Sequence, residues 1–160
     1  MGDIITNWPQ LSRTIERRRL GGETLVTTNG VFDLLHVGHI RYLQAANALG
    51  SLLIVAINSD ACTRVLKGPT RPFVTELERA ELLAALGCVD YVTLFDEPTP
   101  EMFLSHFRPD IHTKGGDYDI ATMPETAVME RHGGKIVLLP FTEGRSTTDL
   151  AARIAAHHHR

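Results

Sequence analysis

Leu52-Leu53-Ile54-Val55-Ala56-Ile57 is an almost unbroken apolar run with no polar residue at alternate positions. A strand with one face in water alternates apolar and polar side chains, so a run without alternation reads as a strand covered on both faces. Parallel sheets create that situation, because their crossover connections lay helices above and below the strands. Asn58-Ser59-Asp60 follows at the carboxyl end of the run and suits the cap of a short helix over 60–66.

The rest of the chain fits the same frame. Residues 8–20 predict an opening helix with Leu11 and Ile15 on one side, stopped by Gly21-Gly22. Thr24–Thr28 is a short strand, and Asn29-Gly30 is a turn signal that ends it. A helix is expected over 37–49, closed by Gly50. Lys67-Gly68-Pro69-Thr70-Arg71-Pro72 breaks regular structure, and Thr75-x-x-Glu78 then reads as a capping box opening a helix to Leu86. Asp90–Phe95 is a third strand, and Thr99-Pro100-Glu101 starts a helix that Pro109 ends. Ile111–Thr113 and Lys135–Leu139 are the fourth and fifth strands, with a helix over 124–131 between them and another after Thr148. Strands alternating with helices specify an α/β architecture with a five-stranded, mostly parallel sheet in one domain over 1–160, its core at about 24–152.

Composition excludes several classes. Of the 160 residues, 43% are apolar and 22% charged, a globular balance, and the net charge of −3 supplies no basic field for nucleic acid. Cys62 and Cys88 match no disulfide or metal spacing and read as free thiols. No apolar run reaches the length of a membrane span and residues 1–20 lack a signal-peptide core, so a cytoplasmic protein is expected. The closing His157-His158-His159-Arg160 carries no pattern.

Chemistry concentrates in Thr28-Asn29-Gly30-Val31-Phe32-Asp33-Leu34-Leu35-His36-Val37-Gly38-His39, at a strand-to-helix junction. Such a junction brings backbone N–H groups, imidazoles and the positive end of a helix to one point, which suits a polyphosphate. His36 and His39, three apart, share one side of a nascent helical turn, and Gly38 leaves room for a ligand near the backbone. Taken alone, the pattern also allows half of a metal site, with Asp33 the nearby carboxylate, or two unrelated histidines.

The stretch resembles the HxGH signature of the nucleotidyltransferase superfamily, and Ser146-Thr147-Thr148 resembles that superfamily's second signature near the carboxyl end. The resemblance covers residues 24–152 and implies a Rossmann-like three-layer α/β/α fold. Asn29, the segment Val55–Asp60 and Lys114-Gly115-Gly116-Asp117-Tyr118 are similar to the bacterial heptose 1-phosphate adenylyltransferases. The glycerol-3-phosphate cytidylyltransferases share Thr142-Glu143-Gly144 but carry arginine where this chain has Phe141. Asp149 stands where many members of the superfamily have lysine.

The resemblance implies transfer of AMP from ATP to a sugar phosphate, heptose 1-phosphate foremost, with release of pyrophosphate. His36 and His39 would donate to the phosphates, and Lys67 would neutralise charge on the incoming groups. Arg79 would reach the phosphates, unless it pairs with Glu76 or Glu78 on its own helix. Thr28, Asn29, Gly30, Phe32, Asp33 and Gly38 would line the nucleotide site together with Lys114, Gly115, Gly116 and Asp117. Ser146, Thr147 and Thr148 would hold the β- and γ-phosphates at a helix start. Asn58, Asp60, Arg71 and Tyr118 are candidates for contact with the sugar phosphate. Mg²⁺ is expected through the ATP phosphates rather than at a dedicated protein site. The resemblance further implies a homodimer, with a separate sugar kinase supplying the substrate and neither nucleic acid nor membrane as partner. Competing readings are cytidylyl transfer to a polyol phosphate, FAD-forming adenylyl transfer, and a nucleotide-binding regulator without turnover.

Overall fold

In the computed structural model, which describes residues 1–140 and 147–157, β3 (Leu52–Asn58) is buried at all seven positions. It lies inside a sheet with β2 (Leu25–Gly30) on one side and β4 (Tyr91–Phe95) on the other. Beyond β2 come β5 (Ile111–Gly115) and β6 (Lys135–Leu139), and β1 (Asp3–Ile4) edges β4. The order is β1-β4-β3-β2-β5-β6, and every pairing is parallel. The sheet therefore has six strands rather than the expected five. The extra one, β1, spans only two residues at the sheet edge, too short to show any hydrophobic period.

Helices cover both faces. On one, α1 (Trp8–Leu20), α5 (Glu101–Phe107) and α6 (Pro124–Arg131) pack Leu11, Ile15, Phe103 and Met129 over Leu25, Leu52, Ile54 and Ala56. On the other, α2 (Val37–Asn47) and α4 (Glu76–Ala84) set Leu43, Ala46, Ala80 and Leu83 on Val26, Leu53, Val55 and Ile57. α3 (Asp60–Lys67) follows β3 directly, its start capped by the Ser59 hydroxyl, which accepts from the Cys62 N–H at 3.2 Å. At the head of α4, Glu78 accepts from both the N–H and the hydroxyl of Thr75. A 3₁₀ turn (Ile120–Thr122) precedes α6, and α7 (Thr147–His157) closes the described chain. Among the described residues no helix is long and apolar enough to cross a membrane.

The expected turn at Asn29-Gly30 is instead the end of β2. Asn29 and Gly30 pair in register with Ala56 and Ile57, so neighbouring backbone satisfies groups that an isolated turn would leave to water. The chain moves outward from β2 through β3 to β4, then returns to the other side of β2 as β5 and β6. That reversal puts a topological switch point between the carboxyl ends of β2 and β5, where open α/β sheets bind ligands.

Candidate active site

A cleft of about 730 Å³ opens at the switch point. Its floor is the loop from β2 to α2. Gly30 leaves room there for the Phe32 ring, which folds back over it from a left-handed backbone (φ 50°) and would lie 3.0 Å from a Cβ at that position. The Phe32 ring then meets His39, with centroids 5.3 Å apart. His36 occupies the N-cap position of α2 in extended conformation, and its ring stacks on His39 at 3.8 Å between centroids with 21° between planes. Both histidines and Gly38 line the cleft. Burial, and then the neighbouring His36, push the His39 pKa down to about 4, so its imidazole is neutral near pH 7. A neutral ring offers one N–H donor and one acceptor, and His39 Nδ1 is buried without a partner among the described residues.

Tyr42, one turn on from His39, also lines the cleft and was missed in the sequence. Its hydroxyl bonds to the Thr28 hydroxyl at 2.7 Å and donates to that of Thr113 at 3.1 Å, tying α2 to both strands of the switch point. Thr28 is fully buried in this network instead of lining the cleft. The three-residue spacing from His39 was the available signal for Tyr42.

Asp33 lines the cleft, but its carboxylate is committed. One oxygen accepts from Arg71 at 2.7 Å, and the other from the N–H groups of Phe73 and Val74 at 2.7 and 3.1 Å. Arg71 is held between this carboxylate and the Phe73 ring, 4.1 Å from the ring centroid. The loop bearing Arg71 is thereby fastened to the floor, and Lys67, at the end of α3, lines the adjoining wall with Asn58 and Leu66.

Arg79 does not line the cleft, and it pairs with neither Glu76 nor Glu78. It is fully buried and donates to the carbonyls of Val31, Asn58 and Val74 and to Asp60 Oδ1, all within 2.6–3.0 Å. The guanidinium fork joins the floor, the end of β3 and the Arg71 loop. Asp60, its carboxylate on Arg79 and its N–H on Glu76, also stands outside the main cleft.

On the β5 side, Lys114, Gly115 and Tyr118 line the cleft, with Pro98 and Pro140 completing walls that carried no motif. The Lys114 ammonium pairs with the buried Glu125 carboxylate at 2.7 Å. Gly116 is buried with φ 118°, so its place in the turn after β5 needs glycine, and Asp117 is exposed beyond the lining. Thr147, which donates to the Leu34 carbonyl at 3.3 Å, and Thr148 close the far side. Ser146, Phe141, Thr142-Glu143-Gly144 and Arg145 lie outside the described residues.

A model of cytidylyltransferase-like proteins matches residues 27–153. The chain belongs to that family. A D-beta-D-heptose 1-phosphate adenylyltransferase from Bordetella bronchiseptica is 53% identical over 131 residues, covering 81% of each chain. The bifunctional protein HldE of Syntrophotalea carbinolica is 54% identical over 140 residues; the match covers 88% of this chain and 28% of that protein, so the chain spans less than a third of the bifunctional relative. Among solved structures, a lipopolysaccharide core biosynthesis protein from Thermoplasma volcanium matches with a TM-score of 0.64 and 28% identity, over 78% of this chain and all of that one.

Proposed function

We propose that this family member is an adenylyltransferase that joins AMP from ATP to a heptose 1-phosphate, releasing pyrophosphate and forming an ADP-sugar. The observation that carries the reaction type is the stacked His36–His39 pair at the head of α2, inside the switch-point cleft. The 53% identity to the Bordetella enzyme supports ATP and heptose 1-phosphate as the substrates.

The sugar phosphate is already an oxyanion nucleophile, so no covalent enzyme intermediate is needed. Its oxygen forms the new bond to the α-phosphorus of ATP as the bond to the pyrophosphate oxygen breaks. The protein's task is in-line positioning and neutralisation of charge on the phosphoryl oxygens. His36 and His39 donate to those oxygens, and the neutral state of His39 suffices when its N–H faces phosphate. Lys67 adds a point charge from the wall, and Thr147 and Thr148 take the leaving pyrophosphate at the start of α7.

Asp33 is the one carboxylate among the described lining residues, and Arg71 and two N–H groups already occupy it. The residues fit a Mg²⁺ ion that arrives on the nucleotide. When bound, it neutralises polyphosphate charge. A sugar kinase acting upstream to supply the heptose phosphate, as a partner rather than an activity of this domain, and a homodimeric assembly belong to the same proposal.

The test is pyrophosphate release with ATP or CTP, each offered with heptose 1-phosphate and glycerol 3-phosphate. The proposal expects turnover chiefly with ATP and heptose 1-phosphate; a strong preference for CTP contradicts it.

A further inference from the structure

The cleft straddles the carboxyl edge of the sheet, and its two sides differ in chemistry. His36, His39 and Tyr42 reach it from α2, on the face that holds Val26 and Leu43. Strand alternation puts Asn29 on the opposite face, with Leu25 and Thr27. Asn58 follows Ile54 and Ala56 onto that face. Lys114 follows His112 there, and its ion pair with Glu125 of α6 is made on that side. Three adjacent strands, β3, β2 and β5, thus present Asn58, Asn29 and Lys114 as a polar strip behind the histidines.

The strip carries no net charge, because Glu125 neutralises Lys114. The amide nitrogen of Asn58 is spent on Cys62 Sγ and the Glu97 carbonyl. Asn29 Oδ1 is buried and has no hydrogen-bond partner among the described residues. A buried acceptor left unpaired is costly, so its complement is a ligand donor. Neutral amides with an unfilled acceptor suit hydroxyl groups and do not suit a phosphate. Asn29 pairs in register with Ala56, two residues short of Asn58, so the two amides stand about 8 Å apart on the diagonal, a span a sugar ring and its exocyclic hydroxyls cover. Lys67, at the far end of the helix that follows β3, also lines the cleft and supplies a cation for the phosphate, while Leu66 and Pro98 offer apolar surface to the C–H groups.

We propose that Asn29 is a specificity-determining residue for the acceptor, its side-chain carbonyl accepting a hydrogen bond from a hydroxyl of the sugar phosphate rather than contacting the nucleotide. The proposal rests on the functional reading above and assigns one residue of that site to one of its two substrates. A site built to bond a hydroxyl rejects analogues that lack it, because the buried acceptor is then left unpaired.

The experiment compares wild type with Asn29→Ala in steady-state kinetics, and by calorimetric titration of heptose 1-phosphate and of ATP separately. Expected is a 10- to 100-fold rise in KM and Kd for heptose 1-phosphate, with both constants for ATP within twofold of wild type. Unchanged ATP affinity also reports an intact fold. Asn29→Ser, which leaves the acceptor too short to reach, is expected to move the same way and replaces the alanine variant if that does not fold. A rise for ATP with the acceptor unaffected, or no change for either, overturns the assignment, as does a wild type that does not bind heptose 1-phosphate. Binding does not require turnover: a wild type that binds both substrates yet releases no pyrophosphate contradicts the functional reading, while the titrations still decide the role of Asn29.

Discussion

Arg71 donates to Asp33 at 2.7 Å across 38 residues of sequence, which locks the loop after α3 onto the floor beneath the histidines. The Asp33 carboxylate is 5% exposed and also takes two backbone N–H groups of that loop. Asp33→Asn keeps the shape but removes the charge from three hydrogen bonds and turns an N–H toward donors. The expected cost is about 2–3 kcal/mol of unfolding free energy, read by urea denaturation. A rise in KM for both substrates accompanies it, because Arg71 and the loop that follows Lys67 lose their fixed position. Unaltered stability would show that the pair does not hold the loop.

Arg79 is expected to act through structure rather than by touching phosphate. Arg79→Met leaves three carbonyls and the Asp60 carboxylate without their buried donor, at a cost of about 3–5 kcal/mol. Arg79→Lys recovers only part of this, since an ammonium cannot reproduce the fork. Stable variants with a raised KM for ATP alone would restore the phosphate-binding role that the sequence suggested.

Two histidines, His112 buried and His39 partly so, give stability a pH dependence of definite sign. An unfolded imidazole takes its proton near pH 6.5, whereas His39 in the fold does so only at about 4. His112, fully buried beside Thr27, is likewise pushed well down, chiefly by burial. Between pH 6.5 and 4 the unfolded chain therefore binds more protons, so the stabilisation is complete above the upper limit and falls as pH drops through the window. His39 contributes at most about 3 kcal/mol of that slope, less for its partial solvation. Urea midpoints at pH 7 and pH 4.5 measure the loss, and His39→Gln should flatten the slope; an equal slope in wild type and variant would contradict the assignment.

Tyr42→Phe removes the hydroxyl that ties Thr28 to Thr113. The expected loss is about 1–2 kcal/mol, with kcat reduced because α2 carries the histidines. The comparison is denaturant unfolding beside single-turnover rates, and a variant unchanged in both would remove Tyr42 from the positioning network.

The layered architecture was legible because Leu52–Ile57 is apolar on both faces, and that property is local. The helix start at Thr75 was legible for the same reason, being set by a capping box within one turn, whereas α5 has Pro100 rather than Thr99 at its N-cap and no side-chain cap bond. β1 was not legible: two residues pairing with a strand 88 positions away owe their conformation to that pairing. Asn29-Gly30 misled because a turn preference yields to register with β3. In the site, the sequence placed His36, Gly38, His39 and Lys67 on the cleft, all at element ends set by local signals. It could not show that Arg79 faces three carbonyls from separate segments, or that Asp33 is consumed by a loop some 40 residues on. Those partners are brought together only by the tertiary fold.

The most direct test of the central claim, that bond exchange occurs at the stacked histidines, is pyrophosphate release from ATP and heptose 1-phosphate by His36→Ala and His39→Ala, with folding confirmed by circular dichroism. Each variant should lose on the order of a few hundredfold in rate, about 3–4 kcal/mol of transition-state stabilisation. Near-normal turnover in both would contradict the account.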